Sequence, residues 1–259
     1  MGTHVHIVGC SPRSGTTLLH EMMISCYEHD RHYPHERAIH KTPKPEVNET
    51  VISKRPTDCI FMDRPMAQNS SLYCIYVLRD PRDVVVSTHG RSLDQYYTSL
   101  AWWKFVDQQT RALRANPRTL VVKYEDLTLN PNEVQQRISR VFPFLQQKHP
   151  FSEYYLHGDM SEESKLAMKN REQVTTSSIG NWRQHKERLV GQLQLHGNVS
   201  EELIDYEYEK NNQWEVEIKG VTGAYFKSVM YRRDRISFFF LIKLFFRKRA
   251  YGLRYRFFC

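Results

Sequence analysis

The segment His4-Val5-His6-Ile7-Val8-Gly9-Cys10-Ser11-Pro12-Arg13-Ser14-Gly15-Thr16-Thr17 decides the fold of this chain. Its beginning, residues 4–9, is typical of a short buried strand, and the run from Thr16 to Tyr27 is typical of a helix. A glycine-bearing turn between a strand and a helix presents backbone N–H groups and the positive end of the helix dipole to an anion. We therefore predict a phosphate-binding loop between this strand and this helix.

The rest of the chain alternates between strand and helix patterns. Leu72–Leu78 is a nearly continuous apolar run, which indicates a parallel strand covered on both faces. Asp80-Pro81 predicts the start of a helix, and a helix, a strand and a helix are predicted in turn for residues 95–115, Thr119–Lys123 and Pro131–Val141. The polar residues 29–57 predict a surface excursion from the sheet. This order predicts an α/β fold of three layers with a central parallel sheet.

The length, composition and charge of the chain limit its possible domain organisation. The 259 residues suffice for one sizeable core, so we predict one domain over residues 1–226 and a tail over residues 227–259. The tail carries a net charge of +9 against +8 for the whole chain, so the body is not broadly cationic, and no nucleic-acid partner is predicted. The five cysteines form no CxxC pair and no signal-peptide pattern is present, which predicts a cytoplasmic protein.

The cation of the phosphate loop does not stand where an ATP-binding loop carries it. A Walker A loop has a Lys after its last glycine, whereas here Thr16 follows Gly15 and the cation is Arg13. A kinase needs that Lys and a metal ion to hold a triphosphate, while sulfonate transfer leaves a bisphosphate nucleotide behind. The loop favours the second chemistry. A P-loop small-molecule kinase and a nucleotide-binding scaffold without turnover remain alternatives.

A second group of residues suits another phosphate. Arg79 follows the strand predicted for Leu72–Leu78, and the i, i+4 spacing of Ser87 and Arg91 predicts that they share one helix face. Arginine forks and a hydroxyl together suit a phosphate monoester. The two groups predict a nucleotide that is phosphorylated at both ends.

These motifs resemble the family of sulfotransferases that use 3′-phosphoadenosine-5′-phosphosulfate (PAPS). The similar segments are Pro12–Thr17 (the 5′-phosphosulfate loop), Leu78–Asp83 with Ser87 and Arg91 (the 3′-phosphate segment), Val121–Leu127, and Val174–Arg183 (the late loop). The resemblance covers roughly residues 4–210 and implies a fold similar to P-loop nucleotide kinases, with PAPS across the carboxyl ends of the strands. The PAPS-binding residues that it implies are Arg13, Ser14, Gly15, Thr16, Thr17, Arg79, Ser87, Arg91, Tyr124, Ser177, Ser178, Trp182 and Arg183.

The resemblance also implies residues that act on the acceptor. Glu36 is similar in position to a catalytic Glu of sulfotransferases that modify sugars or tyrosines, and His35 and His40 are alternative bases because imidazoles titrate near neutrality. Lys41-Thr42-Pro43 resembles the family's Lys-Thr-Pro element, which assigns Lys41, with Arg13, to the transferring sulfonate. No metal site is predicted, since the nearby histidines lack thiolate partners and a His-x3-His register.

The acceptor and the role of the tail are open at this level. The short polar region between the phosphate motifs favours a carbohydrate or glycolipid hydroxyl, with a protein tyrosine as the alternative. The apolar run Ile236–Phe246 is shorter than the roughly 20 residues that a membrane-spanning helix needs. Flanked by basic residues, it predicts an interfacial helix at the inner, anionic membrane surface, or a segment that packs on the domain or on a second subunit in a homodimer.

Overall fold

Five parallel strands form the central sheet of the computed structural model, which describes residues 2–89, 91–170, 173–230 and 236–258. These strands are β1 (Thr3–Gly9), β2 (Arg31–His32), β3 (Thr50–Lys54), β4 (Leu72–Leu78) and β7 (Thr119–Lys123), in the order β2-β3-β1-β4-β7. A separate antiparallel hairpin consists of β5 (Thr88–His89) and β6 (Ser92–Tyr96). The predicted central parallel sheet is confirmed.

Helices and short 3₁₀ turns connect the strands. The helices are α1 (Thr16–Cys26), α2 (Asp63–Gln68), α3 (Pro81–Val85), α4 (Leu100–Gln109), α5 (Arg111–Arg114), α6 (Tyr124–Leu129), α7 (Pro131–Val141), α8 (Glu162–Ala167), α9 (Lys186–His196), α10 (Ser200–Asp205) and α11 (Phe238–Phe258). The 3₁₀ turns are Ile39–Lys41, Pro56–Phe61, Phe151–Leu156, Asn181–Gln184 and Asn212–Ile218. The predictions for β4, β7 and α7 are confirmed, and α1 ends one residue before its predicted end.

Two apolar cores lie on opposite faces of the sheet, because successive side chains of a strand point to opposite faces. Ile7 and Val77 belong to the core that α1 and α7 complete. Val8 and Tyr76, their neighbours in β1 and β4, belong to the core that α4 and α11 complete. The sheet therefore has buried side chains on both faces, as the apolar runs in β1 and β4 predict.

The prediction that residues 29–57 form a surface excursion is wrong in part. β3 lies inside the sheet, between β1 and β2, and Ile52 is fully buried. Polar residues interrupt the apolar pattern of β3. They can be buried because other buried side chains satisfy their hydrogen bonds. Ser53 Oγ lies 2.7 Å from His4 Nε2 and 2.6 Å from His6 Nδ1, both on β1. A polar strand residue with buried partners gives no apolar signal in the sequence.

The prediction that Ser87 and Arg91 share a helix face is also wrong. Asp80 Oδ1 accepts a hydrogen bond from the backbone N–H of Arg82, so α3 begins where predicted, but it ends at Val85. The β-branched run 84–86 weakens the helix there, and the chain turns into the β5–β6 hairpin. The helix predicted for 95–115 begins only at Leu100 and is broken between α4 and α5.

The tail helix α11 packs on the domain. Leu244, Tyr251 and Tyr255 are buried and belong to the core that α4 completes. The tail therefore contributes part of its surface to the fold. Within the described ranges, no helix combines the length and the hydropathy that crossing a membrane requires.

The position of β3 inside the sheet can be tested by truncation of Ile52. We expect Ile52→Ala to lower the free energy of unfolding by about 2–5 kcal/mol, since it leaves a cavity in a packed core. The control is Val47→Ala, because Val47 is 77% exposed in the preceding loop and should cost less than about 0.5 kcal/mol. Urea unfolding measures both, and equal costs would contradict the buried position of β3.

Candidate active site

A cavity of about 440 Å³ opens at the carboxyl edge of the sheet. Four neighbouring strands end there, and each one delivers a polar or aromatic side chain to the cavity wall. Arg13 follows β1, Lys54 ends β3, Arg79 follows β4 and Tyr124 follows β7. β1 has β3 on one side and β4 on the other, and a crevice at such a switch point is where open α/β sheets bind ligands.

The phosphate loop has the backbone geometry of an anion site. Ser11, Arg13 and Gly15 have φ angles of 76°, 78° and 95°, so left-handed residues alternate along the loop. Such alternation directs successive N–H groups toward one concavity. Ser14 does not line the cavity, since its buried hydroxyl donates to the carbonyls of Cys10 (2.7 Å) and Ser11 (2.6 Å). Ser14 therefore stabilises the turn from within.

Glycine is required at position 15 by its neighbour as well as by its φ angle. A Cβ atom there would lie 2.2 Å from Cδ2 of Tyr124, the residue that follows β7. The Tyr124 ring in turn lies under the Arg79 guanidinium, 4.4 Å from the ring centroid. The loop, the ring and the guanidinium therefore form one packed unit.

Two arginines dominate the electrostatics of the cavity. Arg13 donates to Ser87 Oγ (3.2 Å) and, through both terminal nitrogens, to the carbonyl of Ala167 (3.1 Å). Burial, with Arg79 acting in the same direction, lowers the pKa of Arg13 to about 10, so it stays charged at neutral pH. Arg79 donates to the carbonyls of Arg13 (2.9 Å) and Ser178 (2.8 Å). Its buried Nε has no hydrogen-bond partner among the described residues, which suits an anionic ligand.

Lys54 is a cavity residue that the sequence did not predict. Its Nζ donates to Thr17 Oγ1 (3.2 Å) and lies 3.9 Å from Glu36 Oε1. Burial lowers the pKa of the ammonium from its usual value, Arg13 acts in the same direction, and the carboxylates of Glu36 and Glu21 oppose the shift. Thr16, Thr17 and Glu36 all line the cavity with Lys54.

Lys41 is not among the residues that line the cavity. It ends the 3₁₀ turn Ile39–Lys41 and is exposed. The signal that could have found Lys54 is another Lys-x-Pro triplet, Lys54-Arg55-Pro56, which begins two residues after the apolar pair Val51-Ile52. His35 lines the cavity, whereas His40 contacts Tyr251 of α11, with ring centroids 4.3 Å apart.

The late loop, Val174–Arg183, lines the cavity with Val174, Thr175 and Ser178. Asp83 of α3 holds it in place by accepting hydrogen bonds from the backbone N–H groups of Gly180 (2.7 Å) and Trp182 (2.9 Å). Of the four predicted residues of this loop, Ser178 lines the cavity, and Ser177, Trp182 and Arg183 are not among its lining residues. The Trp182 indole is buried, and Arg183 forms a two-point ion pair with Glu217.

Cations outnumber carboxylates in the described lining of the cavity. Its described lining includes the cations Arg13, Lys54, Arg79, Arg91 and Lys169, and the acids Glu36 and Glu163. Arg13 donates to Ser87, and Ser87 and Arg91 both line the cavity although no helix joins them. Arg–hydroxyl pairs suit phosphate oxygens, and a carboxylate beside an ammonium suits transfer of a proton and of developing negative charge. In the part of the chain that the structure describes, no group of His, Cys, Asp and Glu could hold a metal ion.

One of the comparisons with known proteins identifies the family of the chain. A family profile described as "Sulfotransferase domain" matches residues 3–194. The sulfotransferase domain from the curacin biosynthetic pathway matches 70% of this chain and 90% of its own length, at 15% identity and a TM-score of 0.54, a likeness that concerns the fold alone. The sulfotransferase domain from the Synechococcus PCC 7002 olefin synthase matches 71% and 87% at 16% identity (TM-score 0.47), and retinol dehydratase in complex with retinol and PAP matches 86% and 83% at 14% identity (TM-score 0.37). No curated protein sequence matches.

The anchoring of the late loop by Asp83 can be tested by Asp83→Ala. We expect faster amide exchange in residues 174–183, since two hydrogen bonds to a charged acceptor are lost, at about 1.5–3 kcal/mol each. Hydrogen–deuterium exchange with peptide resolution measures this. The control is Asp126→Ala, which removes a half-exposed ion pair with Arg137, and exchange in the late loop should not change. Unchanged exchange in Asp83→Ala would show that other contacts hold the loop.

Proposed function

The chain belongs to the sulfotransferase family, and we propose that it transfers a sulfonate group from PAPS to a hydroxyl of a carbohydrate or glycolipid. The observation that best supports this proposal is that the phosphate loop, the Arg79–Ser87 group and the Glu36–Lys54 pair surround one cavity. We propose residues 1–226 as the catalytic domain. The cytoplasmic location that we propose is supported by the buried free thiols of Cys10, Cys26, Cys59 and Cys74.

The donor would be held at its two phosphate-bearing ends. The N–H groups of the phosphate loop, with Arg13 and the Thr16 and Thr17 hydroxyls, bind the 5′-phosphosulfate. Arg79, Ser87 and Arg91 bind the 3′-phosphate. Support for this division comes from Arg79, whose Nε has no partner among the described residues. Ser177, Trp182 and Arg183 would act indirectly, by shaping the late loop around Ser178.

The reaction is a direct in-line transfer. An S–O bond forms to the acceptor oxygen while the S–O bond to the 5′-phosphate breaks, and adenosine 3′,5′-bisphosphate (PAP) leaves. Glu36 accepts the proton of the acceptor hydroxyl. Lys54, together with Arg13, stabilises the negative charge that develops on the sulfonate and on the departing phosphate oxygen. We place Lys54 in the role predicted for Lys41, because Lys54 lines the cavity beside Glu36 and Thr17.

The acceptor side favours a polar molecule. Apart from Glu36, the lining includes His35, Glu163 and Gln173, which suit hydrogen bonds to sugar hydroxyls. The apolar lining residues Met168 and Val229 favour the second candidate, a tyrosine side chain of a protein. A screen of labelled PAPS against sugars, glycolipids, phenols and peptides separates the two candidates, and transfer to phenols and peptides alone would overturn the carbohydrate proposal.

Truncation of Lys54 and of Lys41 should affect kcat to very different extents. We expect Lys54→Ala to lower kcat by about 100- to 1000-fold, because it removes a preorganised positive charge from the reacting centre. Lys41→Ala is the matched control, and its kcat should change less than about twofold because the side chain is exposed outside the cavity. Steady-state transfer from labelled PAPS measures both. A larger loss in Lys41→Ala would return the role to Lys41.

The identity of the base is tested by Glu36→Gln and His35→Ala. Loss of the general base should lower kcat in Glu36→Gln by about 100- to 10,000-fold while PAP affinity stays unchanged. His35→Ala should keep most of its activity. The reverse pattern would identify His35 as the base.

The nucleotide specificity of the site is tested by thermal unfolding. We expect PAP at about 100 times its Kd to stabilise the protein by about 2.7 kcal/mol, while ATP at the same concentration has a smaller effect. Arg79→Ala should remove most of the stabilisation by PAP, and Arg111→Ala, a change on an exposed face of α5, should not. Stabilisation by ATP but not by PAP would overturn the proposed donor.

A further inference from the structure

Contacts between the inner face of α11 and the domain fix the orientation of this helix. The Tyr251 ring stacks on Phe61, with centroids 4.7 Å apart and planes 8° apart. Asn69 Nδ2 donates to Tyr255 Oη (2.8 Å), and a Cβ atom on Gly252 would lie 2.8 Å from Arg64 Cδ. The helix cannot roll on the domain without breaking these contacts, so one particular face points outward.

That outer face is a stripe of large apolar side chains. Phe239, Ile242, Phe246, Leu253 and Phe257 follow one another at helical spacing, with exposed Ala250 filling the gap between Phe246 and Leu253. Their side chains are between 39% and 75% exposed. Exposed large hydrophobics on one helix face mark an interaction surface when they are contiguous.

Cations flank this apolar stripe on both sides. At 3.6 residues per turn, Lys243, Arg247 and Arg254 project along one flank, and Arg249 and Arg256 along the other. All five side chains are exposed, and residues 236–258 contain no Asp or Glu. Three of the cations lie over phenylalanine rings: Arg247 over Phe61 of the domain (5.7 Å), Arg249 over Phe245 (4.3 Å) and Arg256 over Phe257 (5.9 Å).

We propose that α11 lies flat on an anionic lipid membrane, with its apolar stripe inserted among the acyl chains and its flanking cations at the lipid headgroups. An apolar stripe between two rows of Lys and Arg is the arrangement of an interfacial helix. A second copy of this chain fits the surface less well, because its own α11 would bring the same cations against these without a single acid on either helix. Anionic phospholipids supply the complementary charge along the whole helix.

The proposal concerns a surface that is separate from the catalytic cavity. None of the residues of α11 lines that cavity. Vesicle binding therefore tests it without reference to the acceptor or to the reaction, and it would stand if the proposed function failed.

The experiment is flotation of the full chain with lipid vesicles. We expect binding to phosphatidylcholine vesicles that contain about 30% phosphatidylglycerol, and binding about tenfold weaker or more to phosphatidylcholine alone. Raising the salt concentration should weaken the first binding. Failure to bind the anionic vesicles, or equal binding to both compositions, overturns the proposal.

Variants on the outer face locate the binding surface. Phe246→Ser and Phe239→Ser should each weaken binding about tenfold, and Lys243→Glu about fivefold or more. The matched controls are Leu156→Ser, which changes a leucine that is 63% exposed elsewhere, and Lys219→Glu, an exposed lysine outside α11. Controls that lose binding as strongly overturn the proposal. A dimer that Phe246→Ser converts to a monomer, without vesicle binding by the unaltered protein, assigns the face to a second copy instead.

Discussion

The Arg79 guanidinium joins the parts of the chain that make the site. It lies over the Tyr124 ring at the end of β7 and donates to the carbonyls of Arg13 in the phosphate loop and Ser178 in the late loop. Three segments that are distant in sequence therefore meet on one planar guanidinium group. Because Tyr124 also contacts Gly15, a shift of any one segment would disturb the others. This is how a rigid sheet edge preorganises a site for a charged donor.

The carboxyl edge of the sheet also positions the residues of the proposed reactive centre. Parallel strands end on one side, so β3 places Lys54 beside the loop that β1 delivers. Burial of the Lys54 ammonium is costly, and its ordered position depends on the Thr17 hydroxyl and on the nearby carboxylate of Glu36. A charge that is already desolvated and fixed in place needs no reorganisation when negative charge develops on a transferring group. Lys54 and Glu36, which we propose as the electrostatic stabiliser and the base, thus lie together in one cavity of the sulfotransferase.

The tail illustrates how one helix can take part in two kinds of packing. Its inner face completes the core under α4 through Leu244 and Tyr251. Its outer face carries Phe239 and Phe246 toward solvent, next to cations only. The apolar run in the sequence therefore contains residues for the domain and residues for a second surface, and their separation depends on how the helix is turned.

The sequence by itself determined β1, β4, β7, α7 and the phosphate loop, because each of these has a local pattern: a continuous apolar run, a proline at a helix start, or glycines around a cation. The sulfotransferase family was recognisable for the same reason. Tertiary structure alone decided the rest. The Lys-x-Pro triplets that begin at Lys41 and at Lys54 look alike in the sequence, and only the pairing of β3 with β1 places Lys54 rather than Lys41 in the cavity. The burial of Trp182 and the outward face of α11 likewise depend on partners distant in sequence, and no local pattern encodes those partners.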